Sequence, residues 1–318
     1  MLTLKYKFII AVLLLHTFYV SPTFARSWSE IKESGVLKIA TRDISSLAYN
    51  SKSKDYPGFL HEMALAFAQK NNLKLEIHTV DSFSDFWKKD GEILLKTEKY
   101  DTPDIYDKVD IVTEAFTVTP KREKLIYMSP YIENIELFFG DINKPIKNYY
   151  DLIGKKILLY ESMAFLDVFK KELERRNIPY NMVYVQKDKD TIKPKEKYEV
   201  RNDKVNLYVF PVNEKYDGKL IYHYLANKTI DASINDSLGI IFRLFSNSYY
   251  SENIRPYFPV KINKTFLAWG MDHKTKVLNK KVDDFIKEYK LSNEFSKKLE
   301  YYTGMTLESY NDLVSKIK

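Results

Sequence analysis

Strand-like and helix-like patterns alternate along nearly the whole chain, and past the middle the alternation starts again. VLKIAT at 36–41 has the branched, half-alternating pattern of a strand. GFLHEMALAFAQKNN at 58–72 repeats Leu60, Met63, Ala64, Phe67 and Ala68 at helical spacing. LKLEIHTV at 73–80 predicts another strand, 83–95 a second helical stretch, and 110–112 the start of a third strand. The second round has strands expected at 134–140, 155–160, 180–185, 230–234 and 266–271, with helices at 164–176, 237–245, 277–289 and 293–302. Such a rhythm specifies parallel sheets with helices on both faces. A length of 318 residues suits two domains. No stretch rich in Pro, Gly or Ser separates the halves, so the expectation is two lobes joined by strand-like hinges rather than by a flexible tether.

The chain has no cysteine, which excludes disulfides, cysteine-ligated metals and a cysteine nucleophile. It also excludes a lipoprotein anchor. Only 9 glycines are present, and neither G-x-G-x-x-G nor G-x-x-x-x-G-K-[ST] occurs. The five histidines are scattered and no H-E-x-x-H, G-x-S-x-G or S-x-x-K appears. No catalytic residue, metal site or cofactor is therefore expected, and the chain reads as a non-enzyme. Residues 1–25 read as a signal peptide: Lys5 and Lys7, then a largely apolar stretch of 13 residues (8–20), Pro22, and small residues before Arg26. That stretch is short for a membrane span, so a periplasmic location is expected, with an uncleaved N-terminal anchor as the alternative. The net charge of +7 is modest. The densest run, KDKDTIKPKEKYEVRNDK at 187–204, mixes seven basic with five acidic residues, as solvated loops do, and no nucleic-acid partner is expected.

One segment stands out: VDIVTEAFTVTPKREKLIYMSPY at 109–131. It resembles the bacterial extracellular solute-binding proteins of the polar amino-acid type (family 3), whose signature is a D-I-[IV] strand, a T-x-T-x-x-R turn and an F-S-x-P-Y segment. Further matches follow in order: GVLKIAT at 35–41, GFLHEMA at 58–64, LIGKK at 152–156 and IDASIND at 230–236. FLAWG at 266–270 is similar to the L-A-W segment of the ligand-binding-like domain of membrane-bound lytic murein transglycosylase F. A catalytic transglycosylase domain would follow that segment, and the remaining residues are too few for one. The resemblance spans about residues 28–302.

It implies a two-lobed periplasmic-binding-protein fold of type II, α/β in class. Lobe one is expected at 27–138 plus 264–318 and lobe two at 142–262, with hinges near 139–142 and 260–266. It implies capture of an amino acid, short peptide or similar small carboxylate between the lobes, delivery to an ABC-type inner-membrane permease, and a monomer. A sensing module for a membrane or cell-wall partner, or a dehydratase-like enzyme on the same fold, are the alternatives.

By the same resemblance Arg122 and Thr117 grip a ligand carboxylate, Asp236 pairs with its ammonium, and Tyr49 packs on its side chain. The residue types support this, since a guanidinium at a helix start can hold a carboxylate through two charge-assisted bonds. They equally allow Arg122 as a solvated charge behind a Thr119 cap, Asp236 as the N-cap of the helix after it, and Tyr49 as core packing. The chain also departs from the family. Ser162 and Met163 stand where a Gly-Thr donor pair is usual, and Met163 cannot donate. Ala115 replaces a frequent small polar residue. The segments 82–106 and 186–219 are longer than usual. These changes bear on ligand identity more than on fold.

Overall fold

The computed structural model describes residues 25–316 apart from 45, 46, 213, 215, 216 and 262. All but the last residue of the expected signal peptide lies outside the described residues.

The first lobe begins with α1 (Trp28–Ser34), held by a Ser27/Glu30 capping box and stopped by left-handed Gly35. Next come β1 (Val36–Thr41), α2 (Phe59–Lys70) and β2 (Lys74–Thr79). The predicted stripe of α2 is buried throughout: Leu60, Met63, Ala64, Phe67 and Ala68. Gly58 starts this helix at φ 113°, and a Cβ there would lie 2.6 Å from the Ala48 carbonyl oxygen, so only glycine fits.

The helical stretch expected at 83–95 is instead a 3₁₀ turn, Phe83–Trp87, a hairpin of β3 (Lys88–Lys89) and β4 (Glu92–Ile93), and the start of a second 3₁₀ turn, Leu94–Lys96. Asp90 and Gly91 both take positive φ between these strands, as a tight hairpin demands. Phe83, Phe86 and Trp87 all pack on Phe116 within one turn, with centroids at 5.5, 5.4 and 4.7 Å. A longer helix would carry some of these rings off that face.

β5 (Ile111–Thr117), the short α3 (Pro120–Leu125) and β6 (Tyr127–Asn134) follow. The strand pattern did not mark β6, because Pro130 interrupts it. Pro130 is exposed and β6 is an edge strand, the position where proline costs no ladder bond.

The second lobe contains β7 (Glu136–Asp141), β8 (Lys156–Tyr160), α4 (Ala164–Arg175), β9 (Tyr180–Asp188), β10 (Thr191–Pro194) and β11 (Val205–Phe210). It ends with α5 (Gly218–Ala226), β12 (Ala232–Asp236), α6 (Ser237–Phe245), α7 (Ser248–Asn253) and β13 (Ile254–Pro259). The chain then returns to the first lobe through β14 (Thr265–Met271), α8 (Lys276–Tyr289), α9 (Asn293–Thr303) and α10 (Leu307–Lys316).

The first sheet has the order β2-β1-β5-β14-β6 and the second β10-β9-β11-β8-β12-β7-β13. Both have a parallel centre, β2-β1-β5 and β9-β11-β8-β12, closed by antiparallel strands. The two centres are tied alike. Asp110 accepts the Lys38 backbone N–H at 2.7 Å, and Asp231 accepts that of Lys156 at 2.8 Å.

Two crossings join the sheets. One is at Ile135, between β6 and β7; the other runs from Val260 to Lys264. Residues 139–141, expected at a hinge, lie within β7, paired to β12 and β13. α10, which no pattern marked, braces the first crossing: the Tyr310 hydroxyl donates to the Glu133 carbonyl at 2.9 Å and lies 2.8 Å from the Ser237 hydroxyl.

Candidate ligand-binding cleft

The carboxyl ends of β1, β5, β8 and β12 converge between the lobes, the place where open α/β sheets bind ligands. A cavity of about 90 Å³ lies there. The first lobe contributes Arg42, directly after β1, together with Phe83, Glu114 and Ala115. The second contributes Met163, Tyr222, Asn235, Asp236 and one face of α6.

Arg42 and Glu114 form a buried ion pair, 6% and 2% exposed. The Arg42 Nη2 donates to Glu114 Oε2 at 3.0 Å and its backbone N–H to Oε1 at 2.8 Å. The Thr41 hydroxyl donates to the same oxygen at 3.3 Å. The guanidinium lies 5.0 Å from the centre of the Phe83 ring. Desolvation of two charges is offset here by several hydrogen bonds on one carboxylate and by an aromatic face.

Below this pair lies a second charged group of two carboxylates and one guanidinium. Asp236 ends β12 and precedes α6, but its carboxylate makes no capping bond to that helix. It accepts instead from Asn134 at 2.6 Å and from the Thr117 hydroxyl. Thr117 belongs to the first lobe and Asp236 to the second, so this bond closes the cleft. Burial pushes the Asp236 carboxyl up to about 7, against the pull of Asn134, Arg122 and Thr117. Burial and the Asp236 charge push Glu136 up to about 8. Arg122 is 3% exposed and boxed by Phe83, Trp87 and Phe116, with Nη1 donating to the Thr117 carbonyl at 2.9 Å. Burial lowers its pKa to about 10.

Both carboxyl groups hold protons more tightly in the folded chain than in the unfolded one. Stability from them is therefore present at acidic pH and lost as pH rises from the ordinary carboxylate range through 7 to 8. Every tenfold difference in proton affinity between the two states is worth about 1.4 kcal/mol. Denaturant unfolding between pH 5 and 8.5 should show this fall, and Glu136→Gln should flatten it. A Gln variant whose profile parallels the native one would contradict the buried charge at Glu136.

The residues expected from the sequence separate into groups. Asp236, Ala115 and Met163 line the cavity. Thr117 bonds to Asp236 beside it, and Arg122 lies behind the aromatic wall, in electrostatic reach of Asp236. Thr119 does cap α3, accepting the Arg122 backbone N–H at 3.3 Å, but the Arg122 side chain turns inward and is not a solvated charge. Half-buried Ser162 is not among the cavity residues, and the Tyr49 ring packs on His61 at 5.1 Å. Arg42, Glu114, Tyr222, Phe242 and Arg243 line the cavity although no sequence pattern marked them as site residues. A charge directly after a predicted strand was the one available signal, and it applied to Arg42 alone.

The long segment at 82–106 supplies more than Phe83: Lys96 reaches across to Glu161 of the second lobe at 2.5 Å. Among the described residues no group of His, Asp or Glu is placed to hold a metal ion, and no helix is long and apolar enough to cross a membrane.

No family model matches the chain. Over 150 residues it is 25% identical to membrane-bound lytic murein transglycosylase F of Pseudomonas putida (strain GB-1). That match covers 46% of this chain and 28% of the relative, so the chain corresponds to well under half of that protein's length. In three dimensions it resembles a histidine-bound substrate-binding protein of an ABC uptake transporter from Streptococcus pneumoniae. The TM-score is 0.64 at 17% identity, over 88% of this chain and 97% of that one. It likewise resembles the solute receptor for L-cysteine of Neisseria gonorrhoeae, with TM-score 0.61 and 17% identity, over 91% and 97% of the two chains. The fold is thus the two-lobed type II periplasmic-binding-protein fold.

Proposed function

We propose that this chain is a periplasmic solute-binding protein whose lobes close on a small amino-acid-like ligand and present it to an ABC-type permease. The observation that carries this reading is the cavity between the lobes, whose walls hold buried charges of both signs from both lobes. A zwitterion needs this pairing, because each of its charges must find a partner when water is excluded. Asp236 is the acceptor for the ammonium. Arg122, behind the wall, favours the ionised form of that acceptor against the effect of burial, and Arg42 offers a guanidinium to a carboxylate. The ligands named for the structural neighbours, histidine and L-cysteine, support the reading by analogy of fold. Met163, where a hydroxyl donor is usual, and the Arg42–Glu114 pair favour a ligand different from theirs.

The test is a thermal-shift screen of the purified chain against L-amino acids, short peptides and organic acids. A ligand at a hundred times its dissociation constant adds about 2.7 kcal/mol, a shift of several degrees. Absence of a shift with every compound would overturn the proposal.

A further inference from the structure

The inner cavity is small for a complete ligand site, since such pockets usually enclose ~300–1,000 Å³. A second hollow of about 520 Å³ adjoins it. The two share Phe242 and Arg243 as wall residues. Beyond them the groove is lined from the first lobe by Tyr56 and Tyr302, and from the second by Lys219, Phe245 and Tyr250. The rings are organised: Tyr56 meets Tyr302 edge-on at 5.8 Å, and Phe242 lies 6.3 Å from Tyr302.

One helix links the two hollows. Asp236 sits at the N-terminus of α6, and Gly239, Phe242 and Arg243 follow on the face that lines the cavity. Asp236 to Arg243 is seven helical steps, roughly 10 Å at 1.5 Å per residue. An extended chain covers about the same distance in three residues. The charges also differ along this path. The inner cavity holds Asp236 and Glu114 together with Arg42, Arg243 lies on the wall shared by the two hollows, and among the described residues the groove adds Lys219 and no Asp or Glu.

Resting on the solute-binding reading above, we infer that the ligand is a short peptide with an acidic tail rather than a single amino acid. Its ammonium end sits at Asp236 and its backbone runs along α6 past Phe242. Its terminal carboxylate and acidic side chain lie between Arg243 and Lys219 against the tyrosine rings. The small inner cavity then selects a small first residue, and the open groove tolerates variation in the last.

Isothermal titration of the full chain with alanine, Ala-Ala-Glu and Ala-Ala-Lys tests this. Ala-Ala-Glu should bind at least about tenfold more tightly than either of the others, a difference that one added charge pair supplies. In Lys219→Glu the order of the two tripeptides should reverse, which a merely structural effect of the substitution would not produce. If alanine or another free amino acid binds as tightly as Ala-Ala-Glu, or if the order of the tripeptides is unchanged in the variant, the peptide assignment is overturned and the solute-binding reading stands. If neither amino acids nor peptides bind, both are overturned.

Discussion

Replacing Arg42 by alanine is expected to lower the free energy of unfolding by about 3–5 kcal/mol, the usual cost of removing one member of a buried ion pair. The cost comes from Glu114, which is 2% exposed and would be left with the residue-42 backbone N–H and the Thr41 hydroxyl as its remaining donors among the described residues. The stacked Phe83 ring would lose its cation as well. The denaturant midpoint should fall with little change in slope, since the surface exposed on unfolding is nearly the same. Removing both charges with Arg42→Met and Glu114→Gln should recover most of the loss, because the orphaned carboxylate is then gone. A single variant within about 1 kcal/mol of the native chain would mean that the pair is solvated in solution. The pair also bears on ligand binding. Glu114 holds Arg42 in the cavity wall, and a ligand carboxylate must compete for a guanidinium that is already engaged.

The second large effect concerns Asp236. Replacing it by asparagine should weaken binding of an amine-bearing ligand by at least about thirtyfold, the lower end of the cost of losing one partner of a buried charge pair. Stability of the ligand-free chain should move the other way. With its carboxyl pushed up to about 7 by burial, Asp236 is a cost to the folded state at alkaline pH, and the amide removes that cost. Were Asp236 instead an N-cap, asparagine would cap as well and stability would stay nearly unchanged. A gain at alkaline pH against no change separates the two roles. Titration calorimetry and unfolding curves on the same variant decide between them, and a destabilised variant with native affinity would sink the ammonium assignment.

Much of the architecture was legible in the order of residues alone. Patterns at 36–41, 58–72 and 230–236 reported their own burial, because a parallel strand or an amphipathic helix must carry its core contacts at a fixed period. Thr119 and Pro120 marked the start of α3, and Asp110 and Asp231 marked strands whose neighbours they tie. The differences arose from local conflicts. The residues at 83–95 have helical spacing, but Asp90 and Gly91 turn the chain and three rings compete for Phe116. Pro130 concealed an edge strand. The central strand β11, buried along its whole length, follows directly on a run of mixed charge whose solvated character masks where the strand begins.

The site was legible only in part. Asp236 stood out because it lies where a strand meets a helix. Arg122 stood out by its motif, yet no pattern told whether its side chain turned to solvent or into the box of Phe83, Trp87 and Phe116. Arg42 and Glu114 are 72 residues apart and meet because β1 and β5 are adjacent in the first sheet.

The sequence by itself determined two helix-covered sheets with parallel centres, joined without a flexible linker, since period and composition act within a few residues of chain. The tertiary structure decided which charges face the cleft, which lie behind its wall and which hold a proton near neutral pH. Those properties depend on the distance of each group from water and from its partners, and both are set by contacts between residues far apart in the chain.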